Sequence, residues 1–409
     1  MAQHESVGLP LRSVDRNVVF LGLTSLFTDV SSEMLTAVVP MYLTLTLGFS
    51  GLGFGLFDGL QQGVTALLRV VSGVVADRGQ RHKQVAGIGY GLSALCKAGL
   101  LALGSAAAAV VALLLVDRLG KGIRTAPRDA LISLSSTPET LGRSFGVHRA
   151  LDTLGALIGP VLAFVLLTLL PGDFTAVFLT SLCAALLGLG ILALFVENRR
   201  APAAESARAA RSASAGLAAA LARPGYRQLL VAAVVLSVAT ISDGFVYLTI
   251  QRRSELDPRF FPLLYVGTAM AYLLLAVPAG RLADHWGRGR VLVLGYVLLA
   301  LAYGVLLLPA LGLPAIALCL ALHGAYYAAT DGVLMALAAA LLPESARATG
   351  MAALTTATVL SRLVASLLYG ASWSALGPSV ATLVFAGALV LAVTTAAALL
   401  RRARLEAAG

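Results

Sequence analysis

The sequence is short of charged residues, of aromatic residues and of cysteine. Charged residues make up 12% of its 409 positions and aromatic residues 7%, whereas hydrophobic residues make up 58%. This composition excludes an ordinary water-soluble globule of that length. The chain is instead suited to a lipid bilayer, where a spanning helix needs about 20 mostly apolar residues.

The three cysteines, Cys96, Cys183 and Cys319, each lie alone inside an apolar segment. None is part of a C-x-x-C pair, and none has a histidine beside it. Cysteines placed in this way act as small hydrophobic residues in a core. We therefore expect no metal site and no disulfide.

Several catalytic and nucleotide-binding motifs are absent from the sequence. It has no P-loop of the form G-x-x-x-x-G-K-[ST], so ATP-driven transport by this chain alone is not expected. It also has no H-E-x-x-H and no G-x-S-x-G, which an intramembrane hydrolase would need. We expect a protein that is not an enzyme and that has no bound cofactor.

The chain has about twelve apolar segments of spanning length, which predicts an all-α membrane protein. Residues 1–16 are polar, and the first apolar stretch is too long for the core of a cleavable signal peptide. The segments start near Asn17, Gly51, Gln84, Ala107, Ser144, Phe174, Gln228, Phe261, Val291, Leu313, Gly350 and Ser379.

The net charge of +10 comes from basic residues in alternate loops and in the C-terminal tail, for example Arg78, Arg143, Arg199, Arg288 and Arg402. On a soluble protein this charge would raise the question of nucleic acid binding. In a membrane protein, basic residues mark the cytoplasmic loops. We therefore expect both termini in the cytoplasm and no nucleic acid partner.

A nine-residue signature occurs twice, at 73–81 (GVVADRGQR) and at 280–288 (GRLADHWGR). The two copies start 207 positions apart, about half the chain, so the bundle is predicted to be duplicated. They resemble the loop motif between the second and third helices of each half of the major facilitator superfamily, close to GxLADRxGRR. That resemblance implies twelve transmembrane helices in two pseudo-symmetric six-helix halves, residues 1–196 and 228–409, joined by a cytoplasmic linker at 197–227. It also implies a monomer.

The resemblance assigns a gating role to the residues of the two loop signatures. In the family this network stabilises the outward-open state through a carboxylate that accepts hydrogen bonds from helix N-termini and from arginine. The alternative is ordinary anchoring of basic loops in the cytoplasm. The matching residues are Gly73, Asp77, Arg78, Arg81, Gly280, Asp284 and Arg288.

The fourth segment has an unusual density of charge for a membrane helix. Each charge at the bilayer centre costs about 2.5–3.5 kcal/mol on insertion scales, so these residues are expected to have a function or an ionic partner. Arg118, with Lys121 after it, resembles the fourth-helix arginine motif of proton-coupled facilitators. Arg124, Arg128 and Asp129 lie nearer the cytoplasmic end, where they are expected to reach toward water.

The fifth segment contains Gly146, Gly155, Gly159 and Pro160, and its spacing resembles the antiporter motif of exporters in the same superfamily. Small residues at this spacing also allow close helix packing, and proline disturbs a helix. The motif is therefore interpreted as a sign of antiport, with ordinary packing as the alternative.

Acidic residues in the first and fifth segments are candidates for proton coupling. Asp29 and Glu33 lie four positions apart on one helical face, and two carboxylates in low dielectric resist joint ionisation, so one is expected to hold a proton. They would equally suit a cationic substrate or a divalent metal. Arg149 and Asp152 share a face, so they either neutralise each other or line the substrate path.

Other ionisable residues lie inside apolar segments and are functional candidates for that reason. They are Asp58 in the second segment, Asp243 in the seventh, Asp331 in the tenth and Arg362 in the eleventh. Asp331 is expected to pair with Arg362. His323 in the tenth segment is interpreted either as a packing residue or as a residue of the cavity wall.

Together these features predict a bacterial inner-membrane secondary transporter that exports a small molecule in exchange for protons by alternating access. The stretches 27–40 and 117–129 resemble a bacterial efflux branch of the superfamily, for which the proton gradient supplies the energy. The alternatives are export of a divalent metal cation, facilitated diffusion of a small polar solute, and a receptor or scaffold that uses the fold without transport.

Overall fold

The computed structural model describes residues 14–103, 106–137, 139–199, 216–254 and 256–408. Along these ranges the backbone is almost entirely helical. Inside the helices, side chains are not described for residues 66–67, 69–71, 73–74, 77–79, 344–345, 348 and 403–408.

The described residues form twelve helical segments of membrane-spanning length, with the seventh divided into α7 and α8. A short π-helical turn, Tyr42–Thr46, extends α1. The helices are α1 Arg16–Met41, α2 Gly51–Gly79, α3 His82–Leu103, α4 Ala107–Leu134, α5 Leu141–Leu169, α6 Phe174–Phe195, α7 Pro224–Val238, α8 Asp243–Ser254, α9 Phe261–Trp286, α10 Arg288–Leu306, α11 Leu313–Leu341, α12 Glu344–Leu376 and α13 Pro378–Ala408.

This architecture confirms the predicted all-α membrane fold, and each span begins within six residues of the position expected from hydropathy. Ten spans are long and apolar enough to cross a membrane by length and composition, counted over the described residues. Helices α2 and α4 are outside that set, and α4 carries six charged residues. The seventh span begins at Pro224, inside the range that the sequence assigned to the linker, because proline suits the first turn of a helix.

The two halves repeat the same helix contacts. A Cβ atom on Gly89 of α3 would lie 2.7 Å from the carbonyl oxygen of Gly120 of α4. In the second half, a Cβ atom on Gly295 of α10 would lie 3.4 Å from the carbonyl oxygen of Tyr326 of α11. The members of the second pair follow those of the first by the same 206 positions. In both halves, a glycine on the first helix of the pair allows close helix approach at an equivalent point.

The seventh span is interrupted between α7 and α8, at residues 239–242. The backbone N–H of Ile241 in this interruption donates to the hydroxyl of Tyr303 at 2.7 Å. Thr240 donates its hydroxyl to the carbonyl of Leu236. These bonds satisfy polar groups that the broken helix leaves free, and non-helical backbone is tolerated in a membrane where it lines a cavity.

The two halves meet tightly at one face of the bundle. We call the face at which α1 begins the terminus face and the other the opposite face. Near the opposite face, a Cβ atom on Gly55 of α2 would collide with the carbonyl of Ser366 of α12. Beside this contact, four buried rings form a cluster that we call the aromatic plug, with neighbouring ring centres 4.8–5.8 Å apart. Its members are Phe54, Phe245, Tyr369 and Trp373.

Candidate functional site

A cavity of about 830 Å³ lies between the two halves beneath the aromatic plug. Phe54 of the plug forms part of its wall, and Met335, Met351 and Thr355 line it within about three turns of the terminus-face ends of α11 and α12. The cavity therefore lies between a closed opposite face and the terminus face. Its acidic and basic lining residues are Glu33, Asp58, Arg118, Lys121, Asp243 and Arg362.

Helix α4 directs its charges to two different places. Arg118 and Lys121 are three positions apart and line the cavity. Asp117, Arg124 and Arg128 are seven and four positions apart, so they lie on one face, and all three are buried in the first half. Arg124 and Arg128 were expected to reach toward water, and this prediction is wrong because both have partners on neighbouring helices.

Asp29 and Glu33 each face a cation of α4. Glu33 accepts from the Nζ of Lys121 at 3.2 Å at the cavity wall. The Oδ1 of Asp29 lies 3.6 Å from a guanidinium nitrogen of Arg124, deeper in the bundle. The two carboxylates, which were expected to form a pair, thus belong to two separate ion pairs one turn of α1 apart.

The ionic network continues from α4 to α5. Arg128 lies 3.6 Å from Asp152 and 2.9 Å from Asp129, and it donates to the hydroxyl of Ser25 at 3.2 Å. The same hydroxyl is 2.9 Å from the Nε2 of His148. A carboxylate, a histidine and a buried arginine are therefore joined on one side of α1.

Arg149 and Asp152 do not form the pair that their spacing suggested. Asp152 faces Arg128, whereas Arg149 is exposed. Residues three positions apart differ in direction by about 300° around the helix axis. Asp152 can therefore face Arg128 of α4 while Arg149 of its own helix points to solvent.

Lys97 of α3 forms the most buried ion pair of the described residues. Its Nζ lies 2.7 Å from Asp117, and the exposed fractions of the two side chains are 0% and 3%. Ser93 donates a short hydrogen bond to the same carboxylate oxygen. The pair is enclosed within the first half and lies away from the cavity.

Arg118 lines the cavity without an ionic partner among the described residues. Its guanidinium donates to the hydroxyl of Thr36 at 2.9 Å. Its backbone carbonyl accepts from Thr65 of α2. This arginine is thus held at its base by neighbouring helices, with donor groups left over on the cavity side.

Asp58 of α2 is the point at which the first half bonds the second at the cavity. It accepts from Ser366 of α12 at 2.5 Å, and from Gln61 and Gln62 of its own helix at 3.0 and 3.2 Å. The carboxylate thus lies across the seam between the halves, directly below the tight α2–α12 contact.

In the second half, Asp243 is joined to two residues of α11. Its Oδ1 lies 3.0 Å from the Nε2 of His323 and accepts from the hydroxyl of Tyr327 at 2.7 Å. Asp243 begins α8, directly after the interruption of the seventh span. The structure thus places a candidate acid and a phenol at the cavity wall, with a buried histidine in contact with the acid.

The predicted pair of Asp331 with Arg362 is wrong. Asp331 is exposed, whereas Arg362 lines the cavity and donates to the hydroxyl of Tyr326 at 3.5 Å. Asp331 lies one helical turn beyond Tyr327, where its side chain is open to solvent and needs no buried cation as a partner.

Sequence analysis missed the cluster of Asp243 with His323 and Tyr327 because it treated each residue separately. A usable signal was present in the duplication. His323 and Tyr327 follow Asp117 and Lys121 by the same 206 positions as the repeated glycine contacts. Alignment of the halves would therefore have marked both residues as equivalents of charged positions of α4.

The second copy of the loop signature is partly described and the first less so. Asp284, which is exposed, lies 3.9 Å from the half-buried Arg288, and Arg288 also donates to the carbonyl of Ala336 of α11 at 3.1 Å. Gly280 has open space around it, and Arg81 is exposed. The side chains at Gly73, Asp77 and Arg78 lie outside the described residues.

The glycines of the fifth span pack against α1. A Cβ atom on Gly159 would lie 2.8 Å from the carbonyl oxygen of Val30, and one on Gly155 would collide with the carbonyl of Leu26. Pro160 is buried beside them, whereas Gly146 has open space around it. The two central glycines therefore hold α5 close to the helix that carries Asp29 and Glu33.

No group of three or more histidine, cysteine, aspartate or glutamate side chains with metal-binding geometry occurs among the described residues. Four carboxylates of the first half, Asp29, Glu33, Asp117 and Asp152, instead face lysine or arginine. The acidic side chains described above thus take part in ion pairs or accept hydrogen bonds from neighbouring side chains.

Comparisons with known proteins agree with this architecture. The family profile of the Major Facilitator Superfamily matches residues 21–257 and 245–408. An uncharacterised MFS-type transporter of Methanocaldococcus jannaschii is 32% identical over 374 residues, which cover 88% of this chain and 89% of the relative. An uncharacterised protein of Mycobacterium bovis is 35% identical over 152 residues, 37% of each chain.

Solved structures of low sequence identity share the fold. The nucleoside transporter NupG superposes with a TM-score of 0.78 at 16% identity, over 94% of this chain and 100% of that one. The peptide transporter POT superposes with a TM-score of 0.79 at 13% identity, over 95% of each chain. Together with the duplicated bundle and its central cavity, the family match shows that this chain belongs to the major facilitator superfamily and is a multi-pass membrane transporter.

Proposed function

We propose that this transporter is a proton-coupled exporter of a small molecule that works by alternating access. The observation that carries the proposal is the cavity between the halves, closed at one face by the aromatic plug and joined at its wall to a buried ionic network. Protons are taken up and released by this network, and the proton gradient supplies the energy. No resident cofactor takes part.

The network has the connectivity that coupling requires. Glu33 is at the cavity wall, and Asp29 lies one turn of α1 away from it, beside Arg124. Arg128 then connects to Asp152 on α5. Because each acid faces a basic group, protonation of one carboxylate frees its cation for another partner, and proton binding can alter the contacts of α1 with α4 and α5.

In the proposed mechanism, alternating access depends on the tight contact of the two halves at the opposite face. At the opposite face, Gly55 packs against Ser366 and the aromatic plug is closed, and Asp58 accepts from Ser366 just below. Separation of these contacts would open the cavity to the opposite face, by rocking of one half against the other. The loop signatures, with Asp284 and Arg288 as the described pair, are proposed to stabilise that second state.

We further propose that the terminus face is cytoplasmic, because the basic loops gather there. The membrane is proposed to be the bacterial inner membrane, and the working unit a monomer. The moving units are residues 1–196 and 228–409, joined by the linker 197–227, of which residues 200–215 lie outside the described residues. The outward direction of transport is proposed from the resemblance of the fifth span to the antiporter motif.

Two other transport functions fit the same fold. A divalent metal exporter would use the acids of α1 as oxygen ligands, although each of them faces lysine or arginine. A facilitative uniporter of a small polar solute would use the cavity without coupling to protons. The experiment below distinguishes these alternatives from proton-coupled export.

The test is proton movement in proteoliposomes under an imposed pH gradient, with organic cations, organic anions and divalent metals offered in turn. We expect one class to drive proton movement, and we expect Asp29→Asn to abolish it because the neutral side chain cannot exchange a proton. The matched control is Asp173→Asn, which changes an exposed acid that caps α6. Asparagine caps a helix equally well, so transport should be unchanged.

Solute flux without proton movement, for any class offered, would contradict the coupling and indicate a uniporter. Proton movement driven by divalent metals alone would favour the metal exporter. Full activity of Asp29→Asn would remove this residue from the coupling path.

A further inference from the structure

Two arginines, one from each half, line the cavity without a salt bridge to any described residue. Arg118 comes from α4 and Arg362 from α12. From this arrangement we infer that the substrate is an organic anion, with a carboxylate or phosphoryl group held by both guanidinium groups and an apolar body. This inference rests on the proposed transport function and adds the class of substrate.

Arg118 has most of its hydrogen-bonding capacity unused. A guanidinium has five N–H donors, and for Arg118 the described partner is the hydroxyl of Thr36. Lys121, one turn along, is neutralised by Glu33. A planar cation with free donors in a cavity wall matches the geometry of a carboxylate or a phosphoryl group.

Arg362 also has hydrogen-bond donors without an acceptor, and one of these donors is buried. Its Nε is buried and has no hydrogen-bond partner, and a terminal nitrogen reaches the hydroxyl of Tyr326 at 3.5 Å. A buried donor of a charged group that lacks a partner is costly, and in a native site it calls for an explanation. An anion in the cavity supplies the missing acceptor.

The acids of the cavity are already engaged. Asp58 accepts from one hydroxyl and two amide groups. Asp243 accepts from Tyr327 and lies against His323. Glu33 faces Lys121. The lining has three acidic and three basic residues, so its formal charges balance. The acids have acceptors in use, whereas Arg118 and Arg362 keep unused N–H donors, and this unused donor capacity favours an anion over a cation.

The remaining wall explains why the anion should be organic. Toward the aromatic plug the cavity is lined by apolar side chains, among them Val39, Phe57, Leu114 and Ile241. A volume of about 830 Å³ is in the range of small-molecule sites. A substrate that places its charge between the two arginines would place its apolar part against this wall.

An anion held by both arginines would also join the two halves. Arg118 moves with the first half and Arg362 with the second, so one ligand group in contact with both is sensitive to their separation. Substrate binding can then bias the equilibrium between the two access states, because the ligand binds one arrangement of the guanidinium groups better than the other.

The test is ligand-induced stabilisation of the purified full-length protein in detergent, read from the midpoint of thermal unfolding. The probes share one apolar body and differ in charge: 2-naphthoate, 2-naphthyl phosphate, the neutral 2-naphthamide and the cationic 2-naphthylmethylamine. We expect the two anions to raise the midpoint by several degrees, and the amide and amine to leave it within error. Carboxylate and phosphoryl recognition are separated by the first two probes.

Arg118→Gln and Arg362→Gln should each weaken anion binding at least tenfold, and Arg362→Lys should retain part of it. The matched control is Arg227→Gln, an exposed arginine outside the cavity, which should bind as the unmodified protein does. Each variant is first compared without ligand, so that a folding defect is recognised as a lower starting midpoint.

Equal stabilisation by the amide or the amine, or no stabilisation by either anion, would overturn the assignment. So would anion binding that both arginine variants retain. Binding is measured without a membrane or a gradient, so this result is independent of proton coupling. Anion binding without coupled proton movement in proteoliposomes would overturn the proposed exporter and leave the substrate class intact.

Discussion

The two halves of the bundle use the same packing and different polar chemistry. In the first half, Lys97 and Asp117 form an ion pair enclosed between α3 and α4. At the positions 206 residues later, the second half has Tyr303 and His323, and each bonds toward the interrupted seventh span. Gly89, at which α3 approaches α4, has an equivalent in Gly295 of α10 at the same offset, whereas Gly120 of α4 is replaced by Tyr326 in α11.

The comparison shows that the duplication preserves helix packing but not the polar residues between the helices. Helix packing depends on small residues at the contact points, and these recur. Charges are costly in a membrane and are kept where they have a partner or a function. The first half therefore carries the ionic network proposed for coupling, and the second carries an acid, a histidine and tyrosines beside the cavity.

The largest expected effect follows from breaking the ion pair of the first half. Lys97→Met leaves Asp117 as a buried charge without its cation, so we expect a loss of about 3–5 kcal/mol in the free energy of unfolding. Tyr303→Phe, at the equivalent position, removes one neutral hydrogen bond to the N–H of Ile241 and should cost about 1 kcal/mol. Unfolding by SDS in mixed micelles measures both.

The control for this prediction is Arg259→Gln, which breaks an exposed pair with Asp257. Exposed pairs contribute about 0–1 kcal/mol, so a small change is expected. Equal losses for Lys97→Met and Tyr303→Phe would mean that the two halves do not differ in the way described here.

A smaller effect is expected from crowding the helix contacts, and here the halves should respond alike. Gly155→Ala would force a methyl group into the carbonyl of Leu26, and Gly324→Ala would bring one to 2.6 Å from the carbonyl oxygen of Thr268. Both should cost about 1–3 kcal/mol in the free energy of unfolding. The measurement is the same SDS titration.

Gly146→Ala is the matched control within the antiporter-like motif, because nothing lies within 4 Å of its added Cβ atom. Alanine favours a helix over glycine by about 1 kcal/mol, so this variant should be neutral or slightly more stable. A loss as large as that of Gly155→Ala would show that the motif acts through something other than packing on α1.

The smallest expected effect concerns the loop signatures. Gln80 has a φ of 50°, and Gly287, which holds the equivalent place 207 positions later, has a φ of 93°. Left-handed backbone costs a residue with a side chain about 1–2 kcal/mol, which glycine avoids. Gln80→Gly should therefore stabilise the protein by up to about 1 kcal/mol, whereas Gly287→Gln should destabilise it. Destabilisation by both changes would contradict this account.

Much of the fold could be predicted from the sequence, because hydrophobic length and repeated signatures are local properties. The departure of the first signature from its family pattern, glutamine at position 80 where glycine is usual, also corresponds to a structural fact. The cavity residues Arg118 and Lys121 were singled out by the charge density of the fourth segment and by its resemblance to the arginine motif of proton-coupled facilitators. The partners of those charges were predicted less well.

The wrong pairings have one physical cause. The pairing of Arg149 with Asp152, one of two interpretations of their spacing, and that of Asp331 with Arg362 were inferred without knowledge of helix rotation, and each helix residue turns about 100° from the last. The rotation of a helix about its axis is set by contacts such as that of Gly159 with Val30. Without those contacts, the direction of a charged side chain cannot be assigned.

The sequence by itself determined that this chain is a duplicated all-α membrane bundle of the major facilitator type, because apolar length, basic loops and a repeated signature follow from the order of residues. Only the tertiary structure decided that Asp29 and Glu33 face separate cations, that Asp243 meets His323, and that Arg118 and Arg362 line one cavity without a salt bridge to a described residue. The physical reason is that ionic partners in a membrane are chosen by helix rotation and proximity, which depend on packing between distant segments.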